Sequence, residues 1–350
     1  EMRESDWSSD VCSSDLEDRL AAGDNPTIAA LHETHPLRDG ISPSQPQRFK
    51  VERPKSSFAA WYQFFPRSEG ATIDPNTGKI IQGTLKTSMA GLERAAAEGF
   101  DIVYLPPVFP IGVTNRKGRN NTLVAGPDDP GSPFGIGSEL GGHDTVDPLL
   151  GTMDDFKALC QRAHELGLEI ALDFALQCSP DHPWVKAHPN WFRHKPDGSI
   201  AFAENPPKKY QDIYPIDFNA DMPGIEKEVE RIMNLWIEAG VTIFRIDNPH
   251  TKPVRFWQDV IAAVTKKHPE ILFLAEAFTR PGMMRALSYV GFTQSHCYFP
   301  WRNTKDELEE YLPVTNGDDG YHQHNTFWPT TPDILDRKST RLNSSHSRAS

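Results

Sequence analysis

An arginine and an aspartate lie two positions apart in an apolar segment near the middle of the chain. The segment Val241-Thr-Ile-Phe-Arg-Ile-Asp247 is typical of a buried strand, and side chains two positions apart on a strand share one face. Arg245 is therefore expected beside Asp247, where its positive charge favours the ionised carboxylate. An ionised aspartate at a strand end can act as a nucleophile, although an ordinary salt bridge gives the same pattern.

A second carboxylate, Glu276, ends another apolar segment, Ile271-Leu-Phe-Leu-Ala-Glu276, and the intervening residues 254–267 have the period of an amphipathic helix. A strand, a helix and a strand in succession make parallel neighbours, so Asp247 and Glu276 are predicted at the same end of one sheet. Neighbouring strands lie about 4.8 Å apart. Retaining glycoside chemistry uses two carboxyl groups about 5–5.5 Å apart, one as nucleophile and one as acid and base.

A third acid, Asp333, occurs in Trp328-Pro-Thr-Thr-Pro-Asp333. Residues 325–329 form a weak strand pattern, and an acid after that strand could stabilise a positively charged sugar. The same segment, viewed by itself, is typical of a turn.

Strand and helix patterns alternate through the body of the chain. Seven strands are predicted, near residues 58–65, 102–106, 168–173, 241–247, 272–276, 291–298 and, weakly, 325–329. Helices are predicted at 85–98, 153–166, 225–239, 254–267, 282–290 and 305–311. This order indicates an α/β fold, a (β/α)8 TIM barrel whose chemistry lies on the loops after the strands. An eighth strand is not visible, so we expect a barrel truncated before its last strand.

Composition suggests boundaries on both sides of the barrel. Residues 1–16 and 337–350 are rich in serine, lack an apolar period and resemble translated adaptor sequence, although genuine disordered tails are the alternative. Residues 17–52 are rich in proline and polar residues, which predicts a short helix and a linker from a lost N-terminal domain. Residues 53–336 would then form the incomplete catalytic barrel, with an inserted subdomain at about 174–223 after the third strand.

Charge and cysteine content exclude several classes of function. The 350 residues carry a formal net charge of −12, which argues against a nucleic-acid partner. Because no run of eighteen apolar residues occurs, no membrane partner is predicted. Cys12 lies in the suspect start, and Cys160, Cys178 and Cys297 have no metal-ligand spacing, so we expect reduced thiols and a cytoplasmic location.

Two long loops contain hydrogen-bond donors suited to sugar hydroxyls or phosphate oxygens. The first, residues 107–152, includes Lys117 and Asn121. The second, residues 174–223, includes Asn205, Lys208, Tyr210 and Asp212, and it also has the aromatic residues Trp184, Trp191 and Phe192. Charged runs are often only solvated surfaces, and loop aromatics more often pack an insert than contact sugar. The position of these residues above a barrel mouth favours binding for the polar set.

The segments Phe244-Arg-Ile-Asp247 and Leu274-Ala-Glu276, with the region of Asp333, resemble the catalytic signatures of the α-amylase superfamily, glycoside hydrolase family 13. The resemblance runs from about residue 53 to 335. It is closest to a branch that lengthens bacterial α-1,4-glucans with maltosyl units from α-maltose 1-phosphate. The most specific segments are Arg116-Lys-Gly-Arg-Asn-Asn-Thr-Leu, Ala175-Leu-Gln-Cys, Asp181-His-Pro-Trp, Lys208-Lys-Tyr-Gln-Asp-Ile-Tyr-Pro, Arg245-Ile-Asp-Asn-Pro-His-Thr-Lys-Pro and Thr331-Pro-Asp-Ile-Leu.

The resemblance assigns a role to each matching position. It makes Asp247 the nucleophile, Glu276 the proton donor and Asp333 the transition-state stabiliser. The other predicted substrate-binding residues are Lys117, Asn121, Gln177, Asn205, Lys208, Tyr210, Asp212, Arg245, Asn248 and His250. Of these, His250 could equally pack beneath Asp247. The late Lys-Tyr binding pair of the family has no counterpart here, and dimerisation of the full-length protein is implied by resemblance alone.

Two departures from the amylase pattern change the expected chemistry. Gln177 and Cys178 stand where an amylase has asparagine and histidine. A thiol is a poor ligand for calcium, so neither a metal site nor a cofactor is predicted. Pro332 replaces the histidine that usually precedes the last catalytic aspartate, which removes one hydrogen bond.

The predicted reaction is retaining transfer of a maltosyl unit from α-maltose 1-phosphate to a maltooligosaccharide or glycogen-like acceptor through a covalent β-maltosyl-enzyme. An α-glucan hydrolase would share every catalytic residue and differ only in whether water or a glucan reaches the intermediate. The third possibility is an inactive truncated fragment.

Overall fold

The computed structural model describes residues 24–36, 45, 51–317, 319–328, 330, 331, 334 and 335. The two suspect tails, residues 1–16 and 337–350, lie outside this part of the chain. The chain divides into two units, residues 1–51 and 52–350. In the first unit, helix α1 (Pro26–Thr34) begins after Asn25, whose side chain accepts a hydrogen bond from the backbone N–H of Thr27 at 2.9 Å. A short helix was predicted in this region.

The second unit contains the predicted alternation of strands and helices. Its strands are β1 (Trp61–Gln63), β2 (Thr72–Ile73), β3 (Ile80–Ile81), β4 (Ile102–Leu105), β5 (Glu169–Phe174), β6 (Ala203–Asn205), β7 (Lys208–Tyr210), β8 (Ile243–Asp247), β9 (Leu272–Glu276), β10 (Gln294–His296), β11 (His324–Thr326), β12 (Thr330–Thr331) and β13 (Ile334–Leu335). Its helices are α2 (Pro54–Ser57), α3 (Met89–Ala97), α4 (Met153–Glu165), α5 (Pro183–Ala187), α6 (Met222–Glu238), α7 (Val254–Lys267), α8 (Pro281–Tyr289) and α9 (Lys305–Asn316).

The main sheet has seven strands in the order β1-β4-β5-β8-β9-β10-β11, which is also their order along the chain. Every neighbouring pair is parallel. These are the seven strands predicted from sequence, and the parallel barrel-type sheet is confirmed. Small antiparallel hairpins, β2 with β3, β6 with β7 and β12 with β13, lie outside it.

Several element boundaries differ from the prediction. Strand β1 is shorter than residues 58–65, and helix α2 precedes it. Helix α9 continues past Tyr311 to Asn316 although Pro313 lies inside it. Pro313 removes only one backbone N–H near the end of the helix. A capping box of Thr304 and Glu307 stabilises the start of α9 and supports the whole element.

The alternation of side chains across the strands separates two apolar layers. One face packs against the helices and includes Leu172, Phe244 and Phe273. The other face has its own buried cluster, Ile102, Tyr104, Ala171, Ile243 and Leu272. Two residues further along β5 and β8 stand Asp173 and Arg245, so the polar residues occupy the inner face at the carboxyl ends of the strands.

The loops above the sheet are joined by two buried histidines. His182 Nδ1 accepts from the backbone N–H of Trp184, so its Nε2 donates to His143 Nδ1 at 3.0 Å. His143 Nε2 in turn donates to the carbonyl oxygen of Ala175 at 2.9 Å. Gly137 has φ +103, and a Cβ atom there would lie 2.2 Å from the ring of His182. Glycine is therefore required for this approach.

The segment between β5 and α6 contains helix α5, a 3₁₀ turn at Pro189–Trp191 and the β6–β7 hairpin. Trp184, Trp191 and Phe192 are buried, so these aromatics pack the core of the loops rather than present free faces to sugar. The prediction of a separate inserted subdomain at about 174–223 stays a prediction.

Within the described part of the chain, no helix has the length and apolar character needed to cross a bilayer. Cys160, Cys178 and Cys297 are buried, and none of them forms a disulfide in that same part.

Candidate active site

The two predicted catalytic carboxylates lie side by side at the ends of β8 and β9. Asp247 and Glu276 are directly paired in the register of these parallel strands. Arg245 lies between them: its Nη1 donates to Asp247 Oδ1 at 3.0 Å, and its Nη2 lies 2.9 Å from Glu276 Oε1. The predicted proximity of Asp247 and Glu276 is confirmed, and the arginine contacts both carboxyl groups.

Asp173 and Tyr104 complete this buried cluster, and the sequence analysis did not include them. Arg245 Nη1 donates to Asp173 Oδ2 at 2.9 Å, and the Tyr104 hydroxyl donates to the same oxygen. The ring of Tyr104 lies 5.8 Å from the guanidinium carbon of Arg245. Asp173 lies at the carboxyl end of a buried apolar strand, as Asp247 does. The same sequence pattern could therefore have identified it as a candidate site residue.

The environment separates the acidities of the two catalytic carboxyl groups. Burial, opposed by Arg245 and reinforced by the negative charge of Asp247, raises the pKa of Glu276 to about 8. Burial also acts to raise the pKa of Asp247. However, the charges of Arg245 and Lys252, with hydrogen bonds from Glu276 and Asn248, hold that pKa below its ordinary value. Near neutral pH Glu276 is therefore protonated and Asp247 ionised, which is the division between an acid and a nucleophile.

A tight turn follows Asp247. Asn248 has φ 44 and ψ 53, in the left-handed region, and a 3₁₀ turn at Pro249–Thr251 comes next. The side chain of Asn248 donates to Asp247 Oδ2 at 3.3 Å, and its backbone N–H donates to Glu276 Oε2 at 3.3 Å. Asn248, predicted from resemblance to bind substrate, thus contacts both predicted catalytic carboxyl groups.

His250 lies in the same turn and is half-buried. Its Nδ1 is shielded from solvent and has no hydrogen-bond partner among the described residues. Burial and the neighbouring Lys252 lower the pKa of His250 although Asp247 opposes them, so the ring is neutral near pH 7. Sugar binding and packing beneath Asp247 both stay predictions for His250.

Two of the predicted loop residues meet in a buried polar pair. Lys117 Nζ donates to Gln211 Oε1 at 2.9 Å and lies 4.0 Å from Asp212 Oδ1. Burial raises the pKa of Asp212, although the charge of Lys117 opposes this rise. Gln177 donates from Nε2 to the carbonyl oxygen of Phe134 at 3.1 Å. Lys117 and Asp212 therefore form a buried charged pair, with Gln211 as the hydrogen-bond partner of the ammonium group.

The remaining predicted residues lie toward solvent. Asn121 is exposed in a 3₁₀ turn, Asn205 and Lys208 are exposed and pair across the β6–β7 hairpin, and Tyr210 is half-buried. No hydrogen bond joins these four residues to Asp247 or Glu276 within the described ranges. Asp333 lies outside the described residues, so its predicted role stays a prediction.

The described residues contain no group of three or more His, Cys, Asp or Glu side chains arranged to hold a metal ion. Cys178 is fully buried, and its backbone pairs with that of Tyr214. The expectation that the protein uses neither calcium nor a cofactor stays a prediction.

Comparison with known proteins gives a consistent result. No family model matches the chain. It is 78% identical over 334 residues, 95% of its length, to the α-1,4-glucan:maltose-1-phosphate maltosyltransferase of Bifidobacterium animalis subsp. lactis. It is 51% identical over 317 residues to the protein of the same name from Mycobacterium tuberculosis. The predicted resemblance is confirmed. The chain covers 46% and 45% of these two relatives, about half of their length.

Solved structures show the same fold. An α-amylase from Lactobacillus plantarum aligns with a TM-score of 0.59 and 26% identity, covering 77% of this chain and 61% of that one. The acarbose complex of an α-amylase from Geobacillus thermoleovorans aligns with a TM-score of 0.57 at 17% identity, covering 76% and 59%. The sheet is therefore of the α-amylase type.

Proposed function

We propose that this chain carries the catalytic carboxylates of a retaining maltosyltransferase, which moves a maltosyl unit from α-maltose 1-phosphate to the non-reducing end of an α-1,4-glucan. One observation carries the proposal. Asp247 and Glu276 are paired in the register of β8 and β9, and beside Arg245 the pKa of Asp247 is lowered while that of Glu276 is raised. The names of the relatives supply the donor and acceptor.

The reaction takes place in two displacements. The ionised carboxylate of Asp247 attacks the anomeric carbon, the bond to the phosphate oxygen breaks, and the proton of Glu276 assists the departing phosphate. A β-maltosyl ester of Asp247 results. Glu276, now ionised, takes the proton of the acceptor 4-hydroxyl, whose oxygen attacks the anomeric carbon. The bond from that carbon to Asp247 breaks and frees the carboxylate. Two inversions give net retention at the anomeric carbon.

Other residues bind the donor in this proposal. Lys117, Gln177, Asp212 and Asn248 would contact the maltosyl phosphate. Asn205, Lys208 and the half-buried Tyr210 would supply donors to the phosphate from the β6–β7 hairpin. Asp333 would stabilise the positively charged sugar.

The wider setting belongs to the same proposal. It includes a homodimer for a full-length protein, a cytoplasmic location, and a (β/α)8 barrel with residues 174–223 as an inserted subdomain.

Hydrolysis is the competing activity, since water could replace the glucan at the maltosyl ester. The names of the relatives favour a phosphorylated donor over a plain glucan. The test must also distinguish both activities from an inactive fragment.

The test incubates the chain with α-maltose 1-phosphate and maltohexaose and measures free phosphate together with product lengths. The 78% identical relative is the positive control, and Asp247→Ala is the negative control. Phosphate release with products longer by two glucose units per step is expected. Maltose as the main product would support hydrolysis, and activity in the relative alone would show that this chain is an inactive fragment.

A further inference from the structure

Lys252 lies five residues after Asp247 and contacts the backbone of the turn. Its Nζ donates to the carbonyl oxygen of Asp247 at 3.1 Å and to that of Asn248 at 3.2 Å. Asn248 is one of the described non-glycine residues with a positive φ. A left-handed conformation is uncommon for such residues and persists where surrounding contacts hold it. The ammonium group binds two consecutive carbonyls at this strained position.

Asn248 forms hydrogen bonds with both carboxyl groups that are proposed to be catalytic, so its conformation affects their orientation. Its backbone N–H donates to Glu276 and its side chain donates to Asp247, each at 3.3 Å. A rotation of the peptide between residues 247 and 248 would therefore change the direction of both carboxyl groups. Whatever holds this peptide also sets the distance from Asp247 to a bound sugar.

The rest of the turn is anchored to helix α7. Trp257 Nε1 donates to the carbonyl oxygen of Pro249 at 3.1 Å, and Thr251 Oγ1 donates to that of Asn248 at 2.7 Å. Trp257 thus holds the far side of the turn, and Thr251 shares the carbonyl oxygen of Asn248 with Lys252. Lys252 is the charged group that reaches the carbonyl of Asp247 itself.

We propose that Lys252 is a positioning residue for the nucleophile, because its ammonium group holds the backbone of Asp247 and Asn248 in the turn that directs both catalytic carboxyl groups. The inference rests on the proposed function for its consequence in catalysis. The effect of Lys252 on the pKa of the Asp247 carboxyl group can be measured without turnover.

The charge of Lys252 gives the inference a distinct pH signature. The charged and titratable groups around Asp247 and Lys252 come from β4, β5, β8, β9 and the turn, and they are Tyr104, Asp173, Arg245, Glu276, His250 and Lys252 itself. Lys252 acts with Arg245 to lower the pKa of Asp247. Removing its charge therefore moves the titration of Asp247, and that of nearby Glu276, to higher pH. A general loss of stability would not produce this shift.

The first measurement follows the carboxyl carbon of Asp247 by NMR during a pH titration of the chain with ¹³C-labelled aspartate, assigned with Asp247→Asn. Lys252→Met should move the titration to higher pH, and Lys252→Arg should bring it back toward the wild-type value. Lys266→Met, which removes an exposed charge from the end of α7, should leave it unchanged. Where Lys252→Met does not fold, Lys252→Gln takes its place with the same expected shift.

The second measurement follows the rate at which α-maltosyl fluoride labels Asp247 across pH in a Glu276→Ala background, where the adduct accumulates. Lys252→Met in that background should label about 10²-fold more slowly with little change in KM, the loss typical of a misplaced group. The limb of the pH profile that reports the ionisation of Asp247 should move to higher pH. An unchanged NMR titration in both uncharged variants overturns the inference. A shifted titration in a chain whose Glu276→Ala variant never labels supports the control of Asp247 by Lys252 and contradicts the proposed function instead.

Discussion

Replacing Arg245 with methionine should destabilise the protein strongly, because the arginine is buried and its guanidinium group contacts three carboxyl groups. Its Nη atoms lie 2.9, 3.0 and 2.9 Å from Asp173, Asp247 and Glu276. Removing one partner of a buried ion pair costs about 3–5 kcal/mol, since the remaining charge loses its compensation. We expect Arg245→Met to lower the free energy of unfolding by about this amount at pH 8.

The cost should shrink as the pH falls. Without Arg245, the pKa of each buried aspartate in the folded state rises above its unfolded value, so the folded state binds more protons at intermediate pH. Stability lost at pH 8 is then partly regained toward pH 5. Urea unfolding monitored by tryptophan fluorescence at pH 8 and pH 5 measures both values. The control is Arg255→Met, which breaks an exposed pair with Asp259 on α7.

Two results would refute this reasoning. A loss for Arg245→Met no larger than that for Arg255→Met would show that the buried cluster contributes little to stability. A loss that grows on acidification would show that the aspartates are not the uncompensated charges.

Three further predictions concern protons and metals. Transfer by the active protein should decline above about pH 8, where Glu276 loses the proton that assists the leaving group, and Glu276→Gln should remove this limb from a kcat profile. Burial lowers the pKa of His143 to about 4, so the neutral pair with His182 stabilises the fold above pH 6.5. This stability should be lost as the pH falls from 6.5 to 4, and His143→Phe should flatten that slope in urea unfolding. Activity should survive exhaustive chelation of calcium; a loss that added calcium reverses would show that Gln177 and Cys178 were misinterpreted.

Sequence patterns predicted the sheet well because its strands are apolar on both faces and alternate with amphipathic helices. The neighbouring positions of Asp247 and Glu276 followed from parallel strands alone. The predicted ends of β1 and the predicted C-terminal end of α9 were wrong. The capping box of Thr304 and Glu307 marks only the start of α9, and no comparable sequence signal marks its end.

The sequence could not predict contacts that join distant loops. His143 and His182 are 39 positions apart, and their contact depends on Gly137, which leaves space for the ring. Lys117 and Gln211 likewise meet across two long loops. No periodic pattern marks such pairs, because their partners lie in irregular segments. The roles of the exposed loop residues stay predictions for the same reason.

The central claim is that Asp247 forms the covalent maltosyl ester and Glu276 supplies and removes the proton. The most direct test treats Glu276→Ala with α-maltosyl fluoride, a donor whose leaving group needs little protonation, and maps the modified peptide by mass spectrometry. Attack by Asp247 remains possible, but no base activates the acceptor, so a maltosyl adduct should accumulate on Asp247. An adduct on another residue, or full activity of Asp247→Ala, would contradict the assignment.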